Sequence, residues 1–244
     1  MAAHESALFG DSETAARLAA AFAGMDPRSL MRLVIEDLFK GKTALVSSFG
    51  ADSAVLLHMA ADLDKNLPVI FIDTRVLFPE TLAYRDELVA LLGLTNVTTI
   101  WPRSDQLARE DPEDFLWAAN PDRCCEIRKV LPLAEALQGY DAWISGRKRF
   151  QALSRDNLAL FESEGGRIKI NPLAHWTARS VLGYLETHAL PRHPLVAKNY
   201  PSIGCIPCTS PVRPGEDARA GRWRGRHKVE CGLHTLPLYA GADI

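Results

Sequence analysis

Five cysteines carry the soft, reactive chemistry of this 244-residue chain, and their spacing divides them four and one. Cys124 and Cys125 are adjacent, and Cys205 and Cys208 flank Ile206-Pro207 further along the chain. Four thiolates supplied by two segments suit a soft metal, either tetrahedral Zn or an iron–sulfur cluster. The adjacent pair favours the cluster: neighbouring ligands sit awkwardly on one zinc ion, whereas each can reach a different iron of a 4Fe-4S cube. A redox dithiol pair, or thiols simply buried as apolar filler, are the other readings of this pattern.

Cys231 stands alone in Lys228-Val229-Glu230-Cys231-Gly232-Leu233-His234. An isolated cysteine is more often core filler, but a polar, glycine-flanked, basic setting points to a nucleophile. Nearby positive charge favours the thiolate, and Glu230 pulls the other way. If the other four cysteines are committed to a metal group, no resolving thiol remains within the chain. A covalent intermediate on Cys231 must then be cleared by an outside dithiol.

These groups need a scaffold, and the organising stretch is Thr43 to Ser53 with the helix-forming run Ala54 to Leu63 behind it. An apolar run that ends in a small-residue turn and passes at once into a helical pattern reads as strand, loop and helix of an open α/β sheet. Unpaired N–H groups at the helix start, with the hydroxyls of Ser47, Ser48 and Ser53, suit a phosphate or sulfate. The bland alternative is a Ser-rich N-cap.

Before it, residues up to Gly24 read as a loosely attached helix. Asp26-Pro27 then caps a second helix with Leu30, Met31, Val34 and Leu38 on one face and Gly41 at its end. After it come strands at Pro68–Asp73, Asn96–Ile100 and Asp141–Ser145, with a helix from Pro79 to Gly93 and a helical stretch after Pro121 that carries Cys124 and Cys125. Leu158–Phe161 and Arg167–Ile170, joined across Glu164-Gly165-Gly166, suggest an antiparallel edge hairpin, and Thr177 caps a helix through Leu190. The fold class expected is therefore α/β, a mostly parallel doubly wound sheet with an irregular C-terminal segment over its ligand edge. The divisions read from the sequence are an N-terminal extension over 1–25, a nucleotide-binding α/β domain over 26–212, and a mobile tail over 213–244.

A formal net charge of −2 identifies no partner class, although six Lys or Arg lie between Arg213 and Lys228. No run is long and apolar enough for a membrane span, and Asp11, Glu13 and Arg17 interrupt the Ala-rich start, so no secretory signal is expected. The expected compartment is the cytoplasm, where thiols stay reduced.

Taken together, Cys124-Cys125, Tyr200-Pro201-Ser202-Ile203-Gly204-Cys205-Ile206-Pro207-Cys208-Thr209, Gly221-Arg222-Trp223 and Glu230-Cys231-Gly232-Leu233-His234 resemble the assimilatory sulfonucleotide reductases. Within them the match is to the bacterial adenylylsulfate (APS) reductases, of the adenine-nucleotide α-hydrolase-like fold, and it runs from about Gly41 to Tyr239. Ser48 to Ser53 also looks like the pyrophosphate loop of ATP pyrophosphatases, with Phe49 where those enzymes carry a first glycine.

The resemblance implies thiol-dependent reduction of adenylylsulfate to sulfite and AMP, in sulfate assimilation and cysteine biosynthesis. Cys231 attacks the sulfate sulfur, and thioredoxin or a similar dithiol protein frees sulfite from the S-sulfocysteine. A [4Fe-4S] cluster on Cys124, Cys125, Cys205 and Cys208 fixes two segments and does not carry the electrons. By position, Lys129 reaches between cluster and substrate, and Arg155, Arg219 and Arg222 clamp the substrate. His234 matches the family's histidine, Ser47, Ser48 and Gly50 contact the phosphosulfate side, and Ile72 and Gly146 lie against the nucleoside. Asp73 to Leu77 and Arg147 to Arg155 depart from the family's pattern, which bears on Ile72 and Arg155. No nucleic acid or membrane partner is implied, and assembly as a homo-oligomer is compatible with the pattern.

Three rivals use the same residues. A PAPS reductase differs by a 3'-phosphate on its substrate, and such enzymes generally lack the four-cysteine set. A tRNA-thiolating ATP pyrophosphatase would use the loop for ATP, against which Phe49 speaks. A non-enzymatic metal module would use the basic tail for nucleic acid.

Overall fold

A computed structural model describes residues 10–234. Residues 1–9 of the expected N-terminal extension and 235–244 of the expected tail, with Tyr239, lie outside the described residues.

Six strands form one sheet: β1 Thr43–Val46, β2 Val69–Ile72, β3 Val97–Ile100, β4 Ala142–Ser145, β5 Phe161–Glu164 and β6 Arg167–Ile170, in the order β3-β2-β1-β4-β6-β5. All neighbours are parallel except the β5/β6 edge hairpin. The alternation of side chains along the strands divides the core in two. Leu45, Val69, Phe71 and Ile144 face one apolar layer, while Ala44, Ile70, Ile72 and Trp143 face a second built with Leu133 and Leu137. That is the doubly wound arrangement expected from the sequence.

The helices follow their local signals. α1 is Ser12–Ala21 and α2 is Pro27–Arg32, continued by a π-helical turn over Leu33–Leu38. The carboxylate of Asp26 accepts from Ser29 N at 3.0 Å. α3 is Ser53–Leu63 and α4 is Pro79–Leu92, the latter stopped by Gly93 in the left-handed region at φ 64°. α5 Ser104–Glu110 and α6 Leu116–Ala119 were not foreseen. α7 Pro121–Cys125 runs through a π turn, Glu126–Val130, into α8 Leu131–Ala136, and α9 is Ala178–Thr187.

Two local expectations change. The helix before Gly24 is not loose: Ala15 is buried in the core, and Phe22 packs on Phe161 of β5 with ring centroids 6.1 Å apart. The hairpin strand begins at Phe161 rather than Leu158, because Leu158 N closes a turn on Arg155 O at 2.9 Å and is not free for a ladder. No helix among the described residues is long and apolar enough to cross a membrane.

Candidate active site

In this sheet the strand order reverses between β1 and β4, and in open α/β sheets the crevice beyond the carboxyl ends at such a point is where ligands bind. Two turns meet there: Ser47–Asp52 after β1 and Gly146–Lys148 after β4. Asp52 joins them, its carboxylate accepting from Lys148 Nζ and Gln151 Nε2, each at 3.2 Å. Lys148 is buried, and burial lowers its ammonium pKa while Asp52 pulls it back. Within the first turn Phe49 has φ 47°, a conformation glycine adopts without strain. Full burial and an edge contact with Phe71, centroids 5.3 Å apart, hold it there.

The crevice opens into a cavity of about 440 Å³. Ser47, Ser48, Gly50, Ile72, Lys129, Gly146, Arg155, Arg219, Arg222, His234 and Cys231 all lie on its wall. They come from the ends of three strands, the π turn after α7, the short helical turn Leu153–Arg155 and the C-terminal segment. Ile72, the strand end just before the divergent stretch Asp73 to Leu77, and Arg155, at the end of the divergent stretch Arg147 to Arg155, are among them.

The wall is strongly cationic. Arg155 makes a two-point pair with Glu230, Nε to Oε1 at 2.6 Å and Nη2 to Oε2 at 2.8 Å, and Arg219 Nη2 reaches the same Oε2 at 3.2 Å. Burial alone would raise the Glu230 pKa, but Arg155, Arg219 and Arg147 hold it below the ordinary carboxylate value. Arg222 donates to Ile203 O at 3.1 Å and lies over the Trp223 ring at 4.6 Å, and its Nε is buried without a partner. The imidazole of His234 stacks on Trp143 at 6.0 Å with 4° between planes, and its Nδ1 is likewise unpartnered. Burial, followed by Arg147 and Lys169, keeps that imidazole neutral. Unpartnered N–H groups on a cationic wall are what an anionic ligand calls for.

Behind Lys129 the other four cysteines gather, all as free thiols. Cys124 and Cys125 sit at the end of α7. Cys205 docks against the loop after β2 through a bridge to Leu77 and a 3.2 Å contact with Thr74 Oγ1. The same loop receives the other segment, since Arg128 donates to Thr74 O at 2.9 Å. Cys124 lies within electrostatic reach of Cys125, Cys205 and Cys208, and its thiol pKa is pushed up to about 12, first by burial and then by Cys125. Burial alone would lower the Lys129 ammonium pKa, yet the thiols of Cys205, Cys231 and Cys125 raise it. Among the described residues no three His, Cys, Asp or Glu side chains converge as on a single ion. As a donor set, four soft thiols gathered from two segments beside a buried ammonium fit an iron–sulfur group.

Comparison with known proteins matches residues 42–211 to the phosphoadenosine phosphosulfate reductase domain. The chain belongs to that family. This family member is 54% identical over 229 residues to the adenosine 5'-phosphosulfate reductase of Mesorhizobium japonicum, covering 94% of the chain and 90% of the relative. It is 38% identical over 231 residues to a protein of Gloeobacter violaceus named phosphoadenosine 5'-phosphosulfate reductase, covering 92% and 95%. Among solved structures it resembles phosphoadenylyl-sulfate reductase from Candida auris in its phosphate complex, with TM-score 0.70 and 28% identity over 83% of this chain and 98% of that one. The adenine-nucleotide α-hydrolase-like fold expected from the sequence is thus the one observed.

Sequence reasoning left out several residues that build the site of this reductase-family chain. Asp52, Lys148 and Gln151 close the switch point, Arg147 and Trp143 flank His234, and Glu230 holds two arginines. Arg128 is also hidden: its side chain is 2% exposed and pairs with Asp111 at 2.7 Å and Asp114 at 2.6 Å. A charged residue inside a helix with Ile127 and Val130 beside it was the available signal for a buried ion pair.

Proposed function

We propose that the chain reduces adenylylsulfate to sulfite and AMP, with Cys231 as nucleophile and a dithiol protein such as thioredoxin as reductant. The observation that carries this reading is that Cys231 shares one cavity wall with the anion loop Ser47–Gly50 and with Lys129, Arg155, Arg219 and Arg222. The phosphosulfate lies along the loop hydroxyls and helix-start N–H groups, with the nucleoside toward Ile72 and Gly146. Arginine and lysine offset the repulsion between an approaching thiolate and a sulfonate that is itself anionic.

Atoms and electrons balance in two steps. The thiolate of Cys231 forms an S–S bond to the sulfate sulfur as the bond from that sulfur to the phosphate oxygen breaks, and AMP leaves with the electron pair. An external dithiol then attacks the sulfur of Cys231, releases sulfite, and regenerates the thiol as it closes its own disulfide. His234, held neutral, can donate one hydrogen bond to a sulfonate oxygen without adding charge.

Cys124, Cys125, Cys205 and Cys208 would hold a [4Fe-4S] cluster. When bound it adds a fixed local charge beside Lys129 and pins the segments at 124 and 205. Such thiol chemistry belongs in a reducing compartment, the cytoplasm.

The test is incubation with labelled adenylylsulfate without reductant, followed by mass spectrometry. The expected result is one SO3 added on Cys231, and an unmodified Cys231 in protein that turns over once a dithiol is supplied overturns the mechanism. Initial rates with adenylylsulfate and its 3'-phosphorylated analogue decide the substrate. The Gloeobacter violaceus relative gives that comparison its purpose.

A further inference from the structure

Glu230 occupies the position that the proposed reaction reserves for substrate. Its two oxygens take the guanidinium fork of Arg155 at 2.6 and 2.8 Å, in the side-by-side manner of two sulfate or phosphate oxygens, and Arg219 adds a third contact at 3.2 Å. Arg155 has little left to offer: its remaining terminal nitrogen, Nη1, donates to Gln151 Oε1 at 2.7 Å. A ligand anion that uses this fork must replace the carboxylate, because two anions on one fork repel each other at short range.

We propose that Glu230 is a built-in competitor for the substrate's anion and a positioning residue for Cys231; the second half rests on the function proposed above. Glu230 is bonded directly to Cys231 in the chain, so the movement that frees its carboxylate also turns the thiol. The segment has a fixed root and a hinge on either side of that point. Arg226 Nη1 donates to Trp117 O at 2.6 Å, and Lys228 pairs with Asp122, so the chain before Val229 is tied down. Gly232, with φ 77°, supplies the left-handed turn just beyond Cys231. Arg219 Nη2 also donates to Val229 O at 2.7 Å, so one guanidinium holds both the backbone and the side chain of the part that swings. Substrate on Arg155 and Arg219 therefore releases this part, and loss of product lets Glu230 draw it back. Binding and tail position become a single coupled equilibrium.

Glu230→Gln removes the competing charge and keeps the shape. Inorganic sulfate, titrated calorimetrically at constant ionic strength, is expected to bind the variant about tenfold tighter than the native protein. Glu230→Ala should move affinity in the same direction. In steady-state assays KM for adenylylsulfate should fall in Glu230→Gln while kcat also falls, because a product anion that the carboxylate no longer displaces leaves the fork more slowly. A residue that merely braces the fold would not tighten ligand binding. Equal or weaker sulfate affinity in both variants overturns the proposal. If sulfate tightens as expected but AMP binds to neither native protein nor variant, the competition stands and the nucleotide reading falls.

Discussion

The guanidinium of Arg222 rests on Gly204: a Cβ at residue 204 would stand 2.2 Å from Nη2 and 2.5 Å from Cζ. Gly204 immediately precedes Cys205, so one glycine couples the placement of a cavity arginine to a cysteine segment. Gly204→Ala should push the Arg222 head group outward from the cavity. A displacement of about 1 Å at a positioning group commonly lowers turnover by about 100-fold. Steady-state kinetics should therefore show a large loss in kcat/KM, while thermal unfolding shifts little, since the group displaced is the end of a flexible side chain.

Cys231→Ser separates the nucleophile from the tetrad. Activity is expected to fall to background, with AMP binding and iron content unchanged. Iron loss in this variant would mean that Cys231 is a ligand and that the division of the five thiols is different.

Among the four proposed cluster ligands Cys208 is the only one not fully buried, so its replacement disturbs packing least. Cys208→Ser, prepared anaerobically, should lose iron and the visible absorption of the cluster, and with them activity. A thiol-reactive probe should still modify Cys231. Full activity in iron-free protein would remove the cluster from the proposal.

Much of this arrangement was written locally. The run Thr43–Val46 ends at Ser47-Ser48, and Pro79 and Gly93 bracket a helix, so hydrophobic period and caps sufficed for the parallel sheet. The cysteines and the motifs around Cys205 and Cys231 named the chemistry by residue type and spacing. What escaped notice depends on pairings across the chain. Nothing near Glu230 announces Arg155, 75 residues earlier, as its partner, and nothing near Lys148 announces Asp52, 96 residues earlier. The Asp52–Lys148 pair exists because the strand order brings β1 and β4 side by side, and the Arg155–Glu230 pair because the C-terminal segment folds back over the turn after β4. The π turn at Glu126–Val130 was illegible for a different reason: helical periodicity does not reveal a single widened turn.

Arg128 is expected to behave as half of a buried ion pair. Its partner Asp111 is equally enclosed, each side chain 2% exposed, and a further guanidinium bond to Thr74 O ties the segment of Cys124 and Cys125 to the loop after β2, on which Cys205 also docks. Arg128→Ala leaves a buried carboxylate uncompensated, a loss of about 3–5 kcal/mol. Urea unfolding should record that loss, and iron retention should fall with it. A change below about 1 kcal/mol would show that solvent reaches Asp111.

His193 gives the fold a pH limit. It is 1% exposed, its Nδ1 accepts from Leu195 N at 3.2 Å, and its Nε2 lies 3.0 Å from Thr81 Oγ1. The bond from Leu195 leaves the ring proton on Nε2, so protonation would set a second N–H against a backbone N–H. Burial lowers the imidazole pKa from 6.5 to about 4, with Glu80 acting weakly in the other direction. Because the folded value lies below the unfolded one, the unfolded chain binds more protons between pH 4 and 6.5. The stability tied to this group is complete above pH 6.5 and drains away as pH falls toward 4, by on the order of 2–3 kcal/mol. His193→Asn keeps an acceptor for Leu195 N and cannot titrate. Urea midpoints at pH 7 and pH 4.5 should therefore drop further for the native protein than for this variant. Equal drops would mean that His193 is already protonated in the folded state.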